Sequence, residues 1–299
     1  MENETKRVIR HSSECIKCLV NKYLSNELTN IDEETKFKYY QGVLSLISEA
    51  STDVSAPEIV AEVSKLQKKL LGKEDDYTEI KRYFNALILS KEGDISKNIA
   101  LSEEPLFTAA KYAMLGNYID FGAMESVDEN KLNELLDNVS DIDFDRKEFD
   151  NFKNDLSRAE RVIYLTDNCG EIALDKLFIS QIKKEYPNAF IEVIVRGYPV
   201  LNDSTVEDAY QVGLDKVVKI SGNGSDIAGT CLEKISKEAR DKIESADVVI
   251  AKGQGNFETM RHCGHNVYYL FMCKCKMFAD RFNVPRFSGM FLNDKRMKW

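Results

Sequence analysis

The chain has 299 residues, 43% hydrophobic and 30% charged, with 5 Pro and 15 Gly. That length suits one or two folded domains, and the composition excludes collagen-like, low-complexity and wholly disordered chains. A formal charge of -9, from 41 basic against 50 acidic residues, argues against nucleic acid or an anionic membrane as partner, because both are bound through a basic footprint.

The first half reads as helices. Apolar residues recur at spacings of three and four over Thr35 to Ala50, Ile59 to Leu71, Tyr77 to Leu89, Leu106 to Tyr118 and Lys131 to Leu136, with Lys and Glu on the opposite faces. Ser55 and Glu58 form a capping-box pattern with Pro57 in the first turn. No strand is predicted before about position 160. The acid-rich stretch Asp137 to Asp155 is the expected junction, giving a helical subdomain over 1–150 and an α/β domain over 151–299.

After Arg161 short β-branched runs alternate with helical segments, the pattern of a parallel sheet covered by helices. Strands are predicted at Arg161 to Thr166, Ile191 to Arg196, Lys216 to Ile220 and Asp247 to Lys252. Helices are predicted at Ile172 to Tyr186, after a Thr205/Asp208 cap, at Ile227 to Arg240 and at Tyr268 to Phe282. The fold expected is therefore α/β: a three-layer, Rossmann-like C-terminal half with a mostly parallel sheet, preceded by an all-helical N-terminal subdomain. No run approaches the roughly 20 apolar residues of a bilayer span; Val267 to Phe278 is cut by Lys274 and Lys276, and Met1 to Arg10 is polar. With seven cysteines, an odd number for a disulfide framework, these features predict a cytoplasmic protein with no membrane partner.

In an open parallel sheet ligands bind beyond the carboxyl ends of the strands. Those tips carry Asp167-Asn168-Cys169-Gly170-Glu171, then Arg196, Asn202 and Asp203, then Lys252-Gly253-Gln254-Gly255-Asn256-Phe257-Glu258. Asp167, Asn168 and Asp203 are hard oxygen donors suited to Mg²⁺ or Mn²⁺, few enough to leave positions for water and substrate. Lys252 adds a mobile positive charge on the facing tip. Helix capping explains any one of the three donors taken alone. It does not explain why Arg196, Asn202, Lys252 and Asn256 gather at the same edge.

Four stretches carry a resemblance to a known family: YLTDNCGEIALDKLFI (Tyr164 to Ile179), VRGYPVLNDSTVEDA (Val195 to Ala209), ADVVIAKGQGNFE (Ala246 to Glu258) and, more weakly, YYLFMCKCKMFADRFNVPRFSG near the end. With AAKYAMLGNYIDFG (Ala109 to Gly122) they span most of the chain, which resembles the damage-control phosphatases, the family long called domain of unknown function 89. The resemblance implies that Asp167, Asn168 and Asp203 hold a catalytic Mn²⁺, Mg²⁺, Co²⁺ or Ni²⁺, and that Gln254 to Glu258 contact a small phosphorylated metabolite. An Arg-Thr-x-Lys motif of the eukaryotic-type branch is absent after Glu258, and the cysteines point to the prokaryotic branch.

The activity expected is metal-dependent phosphomonoester hydrolysis, with Asp167, Asp203 and Lys252 catalytic and Asn168, Arg196, Asn202, Gln254, Asn256, Glu258, Asn117 and Asp120 at the substrate. The last two can equally be a turn between helices. The alternative is a protein that binds a phosphorylated metabolite or nucleotide without hydrolysing it. Neither a G-x-G-x-x-G turn after the first strand nor a G-x-S-x-G is present, which disfavours dehydrogenase, methyltransferase and serine-hydrolase readings. The Cys15-x-x-Cys18 pair and Cys275 of a Cys-x-Cys fit a structural zinc site, a redox pair or plain buried thiols. His262 and His265 read as ordinary polar residues at a helix end.

Overall fold

A computed structural model describes residues 10–25, 28–72, 76–122 and 127–297. The chain forms two compact units, Met1–Asp76 and Tyr77–Trp299. In the first, α1 (Ser13–Leu24), α2 (Glu33–Glu49) and α3 (Ala56–Leu71) bury Leu19, Tyr23, Tyr39, Val43, Ile47, Ile59 and Val63 as a core of their own. Asp32 caps α2 by accepting from Thr35 N, and Ser55 with Glu58 forms the expected capping box on α3.

The second unit opens with α4 (Thr78–Leu101), α5 (Pro105–Gly116), α6 (Glu129–Asp137) and α7 (Arg146–Leu156). Helix α4 runs twelve residues beyond the predicted end at Leu89, and α7 lies inside the acidic stretch read as a junction. Phe149, Phe152 and Leu156 recur at three and four spacing on α7 and are fully buried, each contributing roughly 1.5–3 kcal/mol of burial. Of the acidic residues that made this stretch look like a linker, Asp150 is exposed, while Asp155 accepts from Tyr268 Oη and Asn266 Nδ2.

There follow β1 (Arg161–Leu165), α8 (Glu171–Glu185), β2 (Phe190–Val195), α9 (Val206–Gln211), β3 (Lys219–Gly222), α10 (Lys237–Glu244), β4 (Val248–Lys252), α11 (Gly253–Met260), β5 (Val267–Met272), α12 (Lys276–Phe282) and β6 (Gly289–Asn293). The sheet order is β3-β2-β1-β4-β5-β6, parallel except for β6, which pairs antiparallel to β5. The mixed α/β fold with a mostly parallel sheet is thus as the sequence implied, and the departures are in its elements: β6 and α11 were not predicted. Val267–Met272 is a strand, not the start of a helix; all six of its residues are buried, and a strand covered on both faces loses the polar/apolar alternation that reveals strands. The third strand begins at Lys219, after a 3-10 turn at Leu214–Lys216. The helix expected from Ile227 begins only at Lys237, where Ser236 caps it; Gly229 at φ +149 breaks the segment before.

Alternating strand residues sort onto the two faces of the sheet. Val162, Tyr164, Val248, Ile250, Tyr268 and Leu270 pack with residues of α4, α5, α7 and α8. Ile163, Leu165, Val249, Ala251, Tyr269 and Phe271 pack with residues of α10, α11 and α12. The strand order reverses between β1 and β4, and the carboxyl ends of those two strands are the position where doubly wound sheets bind ligands. Among the described residues no helix is long and apolar enough to cross a membrane.

Candidate active site

Two βα junctions meet at that switch point. The chain leaving β1 and the chain leaving β2 pair across an isolated antiparallel bridge, Asn168 opposite Asp203, in which Cys169 N donates to Asn202 O at 2.8 Å and Ser204 N to Asp167 O at 2.7 Å. The Ser204 hydroxyl adds bonds to Thr166 Oγ1 and Asp167 O. This pairing fixes Asp167, Asn168 and Asp203, all buried, on one rigid patch. Gly170 ends the first junction at φ +79, its N–H donating to Asn85 Oδ1 of α4 at 2.6 Å.

Arg196 binds the two aspartates together. Its Nε donates to Asp203 Oδ2 at 2.6 Å, one terminal nitrogen to Asp167 Oδ1 at 3.0 Å and the other to Asn256 Oδ1 at 3.2 Å. The second oxygen of Asp167 faces two carboxamides: Asn117 Nδ2 at 3.1 Å and Asn168 Nδ2 at 2.8 Å. The same two amides reach Glu171 Oε2, at 3.1 and 2.9 Å. Asn117 Oδ1 accepts from Met272 N at 3.0 Å, so one side chain at the end of α5 ties the β1 junction to the tip of β5.

Lys252 differs most from expectation. Instead of a mobile charge, it is a fully buried one whose three donors are all spent, on Ala113 O at 2.8 Å, Glu171 Oε1 at 2.5 Å and Asp175 Oδ1 at 2.8 Å. Burial opposes its charge, yet Asp175 and Glu171 together hold the ammonium above its ordinary pKa. Burial pushes Asp175 up to about 7 against the pull of Lys252, while Tyr164 donates to Asp175 Oδ1. Glu171 and Asp175 are the residues that sequence reading missed. Their signal was two carboxylates four apart on the otherwise apolar face of α8.

The remaining candidates line the rim. Asn202 donates to Ile119 O and accepts from Phe121 N, and so holds the turn after α5. Asp120 in that turn pairs with Lys274 at 2.6 Å. Gln254 accepts from Lys274 N and Cys275 N and donates to Glu258, whose carboxyl is raised chiefly by burial. Asn256 donates to Thr166 O and Lys252 O, joining the tips of β1 and β4. Gly253 has φ +79, and a Cβ there would sit 1.9 Å from Asp167 Oδ2, so only glycine lets β4 pass this close to the carboxylate.

The donor set fits a divalent cation on two observations. Four buried carboxylates, Asp167, Glu171, Asp175 and Asp203, face two buried cations, Arg196 and Lys252. Burial, with Asp203 and Glu171 nearby, raises Asp167 well above the usual carboxylate range, and burial pushes Asp203 up to about 6 despite Arg196. Added positive charge would relieve both. Moreover, Asp203 Oδ1 and Asn168 Oδ1 accept no hydrogen bond from the described residues, leaving two oxygens for an ion. No group of three or more His, Cys, Asp or Glu side chains among the described residues is disposed to hold a metal; this set is two carboxylates and a carboxamide. None of the seven cysteines is in a disulfide; Cys15 and Cys18 lie on α1 and Cys275 at the cap of α12. His262, at φ +64, donates its backbone N–H to Asp294.

The damage-control phosphatase ARMT1-like domain matches residues 11–289. Similar proteins include damage-control phosphatase PH1575 of Pyrococcus horikoshii, 30% identical over 94% of this chain and 97% of that one, and a damage-control phosphatase of Archaeoglobus fulgidus, 28% identical over 90% and 94%. An uncharacterized protein of Methanocaldococcus jannaschii is 30% identical over 92% of this chain and 93% of its own. A crystal structure of a DUF89 family protein from Pyrococcus horikoshii superposes with a TM-score of 0.75 at 27% identity, covering 95% of this chain and 99% of that one. The chain belongs to the damage-control phosphatase ARMT1-like domain family.

Proposed function

We propose that this chain is a divalent-metal-dependent phosphatase of small phosphorylated metabolites, with Asp167, Asn168 and Asp203 as its metal-holding residues. The observation that carries the reading is the pair of bridged βα junctions at the sheet's switch point, where clustered oxygen donors outnumber the cations beside them. The names of the relatives support the reaction class. An ion held there would supply Lewis-acid charge to a phosphate monoester.

The chain's own residues prepare the site. Arg196 fixes the spacing of the two aspartates, and the Asn117 and Asn168 amides orient Asp167 and Glu171 against each other. Lys252 acts as a positioning residue: it neutralises the carboxylates behind the site. Gln254 and Asn256 hold the β4 tip against the β5 loop and β1. Such preorganised charge is what phosphoryl transfer requires, since its catalysis is mainly positioning and electrostatics.

Hydrolysis of 4-nitrophenyl phosphate with Mn²⁺, abolished by a chelator and by Asp167→Ala with the fold intact by circular dichroism, is the expected result. Activity retained in Asp167→Ala would refute the assignment.

A further inference from the structure

We propose that Lys274 is the cation that receives the phosphate of the substrate; the proposal rests on the phosphatase reading and assigns that site its anion contact. Of the buried cations near these strand ends, Arg196 and Lys252 are fully engaged. Arg196 donates to Asp203, Asp167 and Asn256, and Lys252 spends its three donors on three acceptors. Lys274, with a side chain only 3% exposed, donates from Nζ to Asp120 Oδ2 alone. An ammonium carries three donors, so two of its hydrogens have no acceptor among the described residues. A nearly buried charge with unused donors is costly until an anion takes them.

Its position suits that anion. Lys274 lies two residues beyond the end of β5, where Met272 N is bound to Asn117 Oδ1, the side chain that also reaches Asp167. Its backbone is held on both sides, by Gln254 Oε1 accepting from its N–H and by Arg286 Nε donating to its carbonyl. Asp120 sits in the turn that Asn202, the residue before Asp203, holds through Ile119 O and Phe121 N, which places the Asp120–Lys274 pair beside the proposed metal ligands. The chemistry recognised is a dianionic phosphate, of a monoester or as free orthophosphate. Asp120 holds the ammonium in place and competes with that dianion for it.

The test is orthophosphate binding to the full chain by isothermal titration calorimetry, with and without Mn²⁺. Lys274→Met should weaken the Kd about 10- to 100-fold, the range of a lost charge-assisted hydrogen bond, and Lys274→Arg should restore part of it. Asp120→Asn should tighten binding, because it removes the competitor. The double variant, which buries no lone charge, should bind as weakly as Lys274→Met and melt near the wild-type temperature. An unchanged Kd in the double variant, or equal weakening in Asp120→Asn and Lys274→Met, would overturn the proposal and leave the pair purely structural. Aryl phosphate turnover by the wild type separates the two readings. Turnover with a Kd indifferent to Lys274 sinks this inference alone, whereas phosphate bound through Lys274 without turnover sinks the phosphatase reading alone.

Discussion

Lys252→Met tests whether the charge network behind the site is as tightly built as its geometry indicates. The substitution keeps the length of the side chain but strands Glu171 and Asp175, which face Nζ at 2.5 and 2.8 Å in a fully buried setting, and leaves Ala113 O without its donor. Removing one partner of a buried ion pair costs about 3–5 kcal/mol. For a unit the size of Tyr77–Trp299 each kcal/mol moves Tm by about 2–4 °C, so calorimetry should find a fall of roughly 6–20 °C.

The deficit should also depend on pH. Asp175 already sits at about 7 in the folded state against an ordinary 3.8, so its favourable contribution is present below about pH 4 and fades as pH rises through 7. Without Lys252 the folded-state value rises further, which extends the loss to higher pH. The gap between variant and wild type is therefore larger at pH 8 than at pH 5. Adding Glu171→Gln and Asp175→Asn should recover most of the lost stability, since no uncompensated charge then stays buried. A deficit under about 1 kcal/mol at pH 8, or a triple variant no better than the single, would refute the reasoning.

Two further substitutions probe the site directly. Gly253→Ala places a methyl against Asp167 Oδ2 and strains a backbone at φ +79; turnover should fall at least about 100-fold with an unchanged far-ultraviolet spectrum, and a loss below about threefold would contradict the close approach. Asn117→Ala removes the clamp among Asp167, Glu171 and Met272. Mn²⁺ affinity followed by electron paramagnetic resonance should weaken about 10- to 100-fold, and an unchanged affinity would show that the carboxylates need no such orientation.

Much of this site could be read in the sequence because it is local to strand ends. Once β1, β2 and β4 are recognised, the topology of a parallel sheet delivers Asp167, Asn168, Arg196, Asp203 and Asn256 to one edge. What stayed hidden is set by long-range packing. The run YYLFM of β5 and the helix after it form one apolar stretch, and nothing local marks where strand gives way to helix, because both are buried. The five-residue β6 is specified by its antiparallel partner more than by its own pattern. Lys252 was read correctly as a strand-tip residue and wrongly as mobile. Only the fold shows that α5 and α8 close over it and that Glu171 and Asp175 wait there.

The central claim is that one divalent ion sits among Asp167, Asn168 and Asp203. Crystals grown with Mn²⁺ and measured at its absorption edge should show a single strong anomalous peak within about 2.0–2.3 Å of an oxygen from each of the three. A peak elsewhere, or no peak with both aspartates still bound only by Arg196 and the Asn117 and Asn168 amides, would contradict it.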